Sequence, residues 1–357
     1  MKAVHTLPAR TRRVSTALLV SAGIFGLSAC SSQGTDSSTS AASTITITNC
    51  GEEVTYDKAD KLFVNDSNLI SDVLAVGGAD KVVAVTKFND DEEILREKFG
   101  ADVVDSLPFA GENYPSLEEV ISKSPDIYVT GWSYGLSEAT NVTPSSLASH
   151  SIGTYILTES CRQGDSSARG TIDPWDAVRE DITNLGKIVG DEATAQAFLE
   201  NFNERTDTVM TLPVPDKAPV GFIFDSASDT VFTSGAKGGP AAVVSAAGSD
   251  LATADIDDTW VSVAWEKITQ SQPDYFIFVD YPGQSVEEKV ALLESNPATR
   301  DLDAVKNKRY IKLRYSMVTS GVLNIDAAEI LRKALEGWAL VPETDMQPEL
   351  NYDWTVS

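Results

Sequence analysis

Short apolar runs of strand length recur along the chain at 61–64, 81–86, 126–131, 154–157, 220–224, 275–280 and 310–313, and amphipathic stretches separate them. This alternation predicts an α/β architecture with mainly parallel sheets, because parallel neighbours need a long crossover and a helix is the usual one. In 68–76, Leu69, Ile70, Val73, Leu74 and Val76 share one broad helical face, and Gly77 and Gly78 supply the stop. Ser116 stands three residues before Glu119, the spacing of a capping box, so a further helix starts there.

Between the two sets of strands, 174–210 is a long helical pattern interrupted only near Gly186 and Gly190 and broken beyond Thr211 by Pro213 and Pro215. A rigid helix of that length would join two lobes. A weak internal repeat supports the same division: Glu118, Pro125 and Asp126 recur as Glu266, Pro273 and Asp274 at one constant offset, each set reading as helix, Pro-Asp turn, buried strand. Two similar α/β lobes follow. The expected division is a lipoprotein signal peptide at 1–29, a lipidated cysteine and flexible tether at 30–45, an N-terminal α/β lobe at 46–172, an interlobe helix at 173–212, a C-terminal α/β lobe at 213–340 and a C-terminal tail at 341–357.

The signal assignment rests on four basic residues, Lys2, Arg10, Arg12 and Arg13, an apolar run from Val14 to Leu27, and the small residues Ser28 and Ala29 before Cys30. The run is too short for a stable membrane span. Cys30 would carry a lipid, and 31–44 is small and polar enough to be a tether. The formal net charge is -25, and cleavage before Cys30 would remove four basic and no acidic residues, leaving a still more acidic protein. Such a balance opposes nucleic-acid binding, which needs Lys and Arg to displace phosphate counterions. Cys50 and Cys161 are then the remaining thiols, and in an oxidising extracytoplasmic compartment they are expected to pair.

Several segments together resemble one family. They are Thr48-Asn-Cys-Gly51, Asn113-Tyr-Pro-Ser-Leu-Glu118, Ser124-Pro-Asp-Ile-Tyr-Val129, Ser262-Val-Ala-Trp-Glu266 and the run from Leu302 to Tyr310. Their order and spacing resemble the ferric-siderophore and cobalamin type of periplasmic substrate-binding protein of ABC importers, in its actinobacterial lipoprotein form. The resemblance implies two lobes on a rigid spanning helix, a ligand cleft between them, modest closure on ligand, and partners in an ABC permease and its ATPase; a monomer held to the membrane by its lipid is expected. It also implies that Glu118 and Glu266 form salt bridges with arginines of the permease. The expected ligand is a ferric siderophore, with cobalamin or haem as alternatives, and no cofactor or catalytic residue is expected.

Ligand contacts are argued from placement, since loops beyond strand C-termini line the crevice of α/β folds. Lys87, Phe88, Trp132, Tyr134, Tyr281, Arg314 and Tyr315 follow such strands, Lys237 lies in a Gly-rich turn, and Trp260 precedes the second copy of the repeat. Aromatic rings would cover the apolar faces of a chelate while Lys or Arg meets its anionic oxygens. The acidic surface favours a neutral or cationic chelate unless a local Lys and Arg patch reverses it. His150 is the one histidine beyond the signal, too few for an ordinary zinc or manganese site, and it leaves no plausible Ser-His or Cys-His pair near a second base. A carboxylate-dependent cell-surface hydrolase is the reading of another class, although no spacing singles out a carboxylate pair.

Overall fold

Residues 44–57, 59–88 and 91–356 are described by a computed structural model. The expected signal peptide at 1–29, Cys30 and the expected tether up to residue 43 lie outside the described residues.

The N-terminal lobe begins with a hairpin, β1 (Ile45–Asn49) and β2 (Glu52–Tyr56), and continues through β3 (Leu62–Asn65), β4 (Val82–Thr86), β5 (Phe109–Gly111), β6 (Ile127–Trp132), β7 (Gly135–Leu136) and β8 (Gly153–Ile156). Its sheet runs β5-β4-β3-β6, with β7 and β8 both pairing with β6, and these pairings are parallel. Helices α1 (Ser67–Ala75), α2 (Glu92–Phe99), α3 (Ala101–Asp105), α4 (Leu117–Lys123) and α5 (Pro144–Ala148) make the crossovers. After α6 (Pro174–Val189) and α7 (Glu192–Met210) comes the C-terminal lobe, with β9 (Val220–Phe224), β10 (Ser226–Ala227), β11 (Val231–Ser234), β12 (Asp250–Leu251), β13 (Trp260–Val263), β14 (Tyr275–Asp280) and β15 (Tyr310–Arg314). Here β12-β9-β14-β15 is parallel and β10-β11-β13 is a separate antiparallel sheet. The helices of this lobe are α8 (Gly239–Ala246), α9 (Trp265–Ser271), α10 (Val286–Ser295), α11 (Asp303–Lys306), α12 (Tyr315–Val318) and α13 (Asn324–Gly337). Each apolar run read from the sequence is a strand of one of the two parallel sheets.

The interlobe segment departs from expectation. It is helical but not one helix: Gly190 takes a left-handed φ of 80°, Asp191 caps the next helix through Thr194 N, and α7 turns back along α6. Gly186 permits the return, because a Cβ there would lie 2.4 Å from that of Ala195. Both helices touch the two lobes: α6 packs on α1 and β1 of the first and α8 of the second, and α7 on α1 of the first and α8 and α13 of the second. The expected tail is also packed: Lys312 N donates to Trp354 O, and Leu350 is buried.

The internal repeat has a physical basis. Ser116 caps α4 in a complete capping box, and α4 and α9 both end on a left-handed residue, Ser124 and Gln272, directly before the Pro-Asp turn. Asp126 then accepts from Asp60 N and Lys61 N at 3.0 and 3.1 Å, and Asp274 accepts from Val220 N at 2.8 Å. Each aspartate ties a central strand to the start of its neighbour.

Period-two alternation distributes the core. Tyr275, Ile277 and Val279 of β14 face a large cluster shared by both lobes, whereas Phe276 and Phe278 face one confined to the C-terminal lobe. The seam is also polar: Asn68 Nδ2 donates to Ser320 O, Val322 N donates to Asp72, Ser316 N donates to Asp91, and buried Asp326 pairs with Lys98 and Arg205. Breaking a buried hydrogen bond to a charged group costs about 1.5–3 kcal/mol, so this seam resists wide separation of the lobes.

Candidate ligand-binding cleft

Three strands of the N-terminal lobe deliver non-glycine residues in left-handed conformations to the crevice: Asp66 after β3 (φ 81°), Lys87 after β4 (φ 58°) and Ser133 after β6 (φ 66°). Such conformations cost on the order of 1–3 kcal/mol each and persist where surrounding contacts over-determine them. Facing them are Asp225 after β9, Tyr281 after β14, and Tyr315 and Thr319 just beyond β15. Phe232 and Trp260 of the small antiparallel sheet, Tyr114 and Tyr134 of the first lobe, and Arg169 before α6 complete a pocket of about 190 Å³.

Four tyrosine hydroxyls in this pocket donate to buried carboxylates behind them. Tyr114 and Tyr315, from opposite lobes, both donate to Asp66 Oδ2 at 2.8 and 3.2 Å. Tyr281 donates to Asp225 Oδ1 at 2.9 Å, and Tyr134 to Glu159 Oε2 at 3.0 Å. Burial raises all three carboxylates, against the pull of Lys87 on Asp66, of Arg169 on Glu159, and of Ser226, Tyr281 and Lys289 on Asp225. Burial likewise raises the four phenols, which keeps them protonated and donating. Asp66 and Glu159 therefore sit behind rings, whereas Asp225 lines the pocket with its carboxylate engaged by Tyr281 and Ser226, and the pocket presents aromatic faces and phenol oxygen lone pairs.

The remaining charges are cationic. Lys87 Nζ lies 5.0 and 5.2 Å from the ring centres of Tyr114 and Tyr315 and forms no salt bridge among the described residues. Arg169 is buried with one nitrogen donating to Trp132 O at 3.1 Å, and its guanidinium carbon sits 5.7 Å from the Tyr134 ring centre. Trp260 stacks on Phe232 at 5.8 Å, its indole N–H close to Glu159 without a hydrogen bond of normal geometry. Apolar walls with two convergent cationic donors suit a ligand that has a hydrophobic face and anionic or carbonyl oxygens.

A profile for periplasmic binding proteins matches residues 65–316, most of the described chain. The chain belongs to the periplasmic binding protein family. Members of known structure share its fold: a periplasmic binding protein from Veillonella parvula superposes with a TM-score of 0.67 at 22% identity, covering 82% of this chain and 98% of its own. An Fe3+-hydroxamate transport protein from Saccharomonospora viridis gives 0.65 at 21% with the same coverage, and a haem-binding protein from Roseiflexus sp. RS-1 gives 0.60 at 17%, covering 79% and 99%. No curated protein matches the chain by sequence.

Of the residues expected to meet ligand, this binding protein brings Lys87, Tyr134, Trp260, Tyr281 and Tyr315 into one pocket. The other four lie elsewhere. Phe88 is buried edge-on against Phe109 at 5.6 Å, and Trp132 lies under the Arg162 guanidinium at 3.5 Å. Lys237 is 3.8 Å from Asp257, and Arg314 bridges Asp280 and Glu93 at 3.3 and 3.8 Å. Neighbouring side chains at a strand end point to opposite sides, so Lys87 and Tyr315 enter the cleft while Phe88 and Arg314 leave it. Asp225 immediately follows β9, so the strand-end rule applied to the others also reaches it. Tyr114, Arg169 and Phe232 carry no such signal, since loops and an antiparallel strand supply them.

Glu118 and Glu266 occupy the same place, the second residue of α4 and of α9. Both are exposed, and neither side chain pairs with another described residue. Cys50 and Cys161 are joined, which ties the β1-β2 turn to the segment that carries Glu159.

Proposed function

We propose that this protein is the extracytoplasmic substrate-binding component of an ABC importer and that its cleft carries a ferric siderophore to the permease. One observation carries the ligand class: the pocket's carboxylates are engaged by tyrosine hydroxyls, which leaves Lys87 and Arg169 as its charged donors. A ferric hydroxamate or catecholate presents oxygens to such donors and hydrocarbon to the rings. The similar Fe3+-hydroxamate transport protein supports the iron-chelate reading, while haem and cobalamin remain the ligands to test against it.

In this reading Cys30 carries the lipid anchor, the mature protein is a monomer, and Glu118 and Glu266 engage permease arginines while the ATPase drives release. Among the described residues no helix is long and apolar enough to cross a membrane. The polar interlobe seam supports a largely preformed site with modest closure.

Trp260 supplies the assay. Titration with a ferric hydroxamate, a ferric catecholate, haem and cobalamin should quench tryptophan fluorescence at the lowest concentration for a ferric chelate. Tighter binding of haem or cobalamin would replace the siderophore assignment, and no saturable quenching by any of the four would remove the binding function.

A further inference from the structure

The cleft continues past the enclosed pocket. Phe232 and Tyr281 line that pocket on one side and, on the other, a more open groove of about 470 Å³. The register of the small antiparallel sheet explains the continuity. Directly opposed residues, and residues two apart on one strand, share a face. Trp260 and Ser262 are two apart on β13, Phe232 of β11 is opposite Ser262, and Ser226 of β10 is opposite Phe232. One face therefore passes from stacked rings at its inner end to hydroxyls at its outer end. The facing wall is the turn after β14, held because Gln284 donates to Ala227 O at 3.0 Å and accepts from Ala227 N at 2.9 Å. Among the residues lining this groove none is charged, and the Ser228, Thr230 and Ser262 hydroxyls bond to no other described residue.

We propose that this groove is a second subsite, which receives an uncharged hydroxyl- or amide-bearing arm of the ligand while Lys87 and Arg169 meet the oxygens of its iron-binding face. The inference rests on the siderophore reading above and refines it. The inner pocket alone is smaller than the roughly 300–1,000 Å³ that encloses a ligand of drug size, and the adjoining groove brings the cleft into that range. A charged arm is disfavoured, because the groove would desolvate it without offering a counter-ion.

Two probes with the same iron–oxygen core separate the arm from the head: N-acetylferrioxamine B, whose hydroxamates are linked by an amide-bearing chain, and ferric tris-acetohydroxamate, held in excess acetohydroxamate, which has none. Calorimetric titration would compare the wild type with Ser262→Phe, which fills the groove from an exposed edge-strand position that tolerates an aromatic. Thr230→Phe, on another strand margin of the same groove, fills it independently. The expected result is that the wild type binds the linked chelate at least tenfold more tightly than the unlinked one. Both variants should lose that advantage while binding the unlinked chelate as the wild type does, which also reports an intact fold. Equal binding of the two chelates by the wild type, or undiminished binding of the linked chelate by both variants, would overturn the second subsite. So would loss of the unlinked chelate in both variants. If the wild type binds neither, the siderophore reading fails and the subsite with it.

Discussion

Removing the Cys50–Cys161 disulfide tests how the first lobe is held together. The bond spans 111 residues, and constraining so long a loop in the unfolded chain is worth about 5 kcal/mol in the chain-entropy model. That is a large share of the roughly 5–15 kcal/mol that stabilises a typical fold. The folded side of the balance changes little, because Cys161 keeps its backbone bonds to Thr158 O and from Gly170 N. Cys50→Ala/Cys161→Ala should therefore unfold in urea with about 4–5 kcal/mol less stability than the oxidised wild type, followed by far-ultraviolet circular dichroism. Wild type reduced with dithiothreitol should fall to the same value, which separates the bond from the substituted side chains. A loss below about 1 kcal/mol in either would refute the argument and mean that the unfolded chain is already confined between these residues.

Two further outcomes follow from the geometry. Glu118→Ala/Glu266→Ala should leave chelate affinity within about twofold of wild type, since exposed rim charges contribute little to a remote site, and should abolish uptake by cells carrying the permease; unimpaired uptake would remove the docking role. Burial pushes Asp181, in the middle of α6, up to about 7 although Tyr155 and Thr158 donate to it. The folded chain then keeps a proton that the unfolded chain releases near pH 4, so this group makes stability fall as pH rises from about 4 to about 7, by about 1.4 kcal/mol per pH unit. Asp181→Asn should flatten the urea-derived stability profile by that slope across the window, and an unchanged profile would contradict it.

Much of the scaffold was legible because its signals are local and repeated. The strands that form the parallel sheets are continuous apolar runs buried on both faces, such as Tyr275–Asp280, and such runs stand out without tertiary knowledge. The Glu118 and Glu266 repeat exposed the twofold design because Asp126 and Asp274 perform the same backbone task in each lobe. The α6-α7 reversal was hidden, since a two-residue Gly190-Asp191 turn leaves helical periodicity on both sides almost unbroken. The small antiparallel sheet was hidden for another reason: Ser226–Ala227 and Val231–Ser234 are too short and too mixed to show alternation. Within the cleft, strand-end residues were accessible to sequence reasoning, but which of two neighbours enters depends on the pleat. Arg169 and Tyr114 reach the site through loops whose path only the folded chain reveals.

The measurement nearest the central claim is a calorimetric titration of a ferric hydroxamate into wild type and Lys87→Met, at fixed salt and pH. Lys87 makes no salt bridge among the described residues, and the uncharged variant retains its apolar stem. Saturable one-to-one binding by the wild type, weakened at least tenfold in the variant with its melting temperature unchanged, is the predicted result. Indistinguishable affinities, or heat from neither protein, would contradict the account of an iron chelate held between the lobes by this cation.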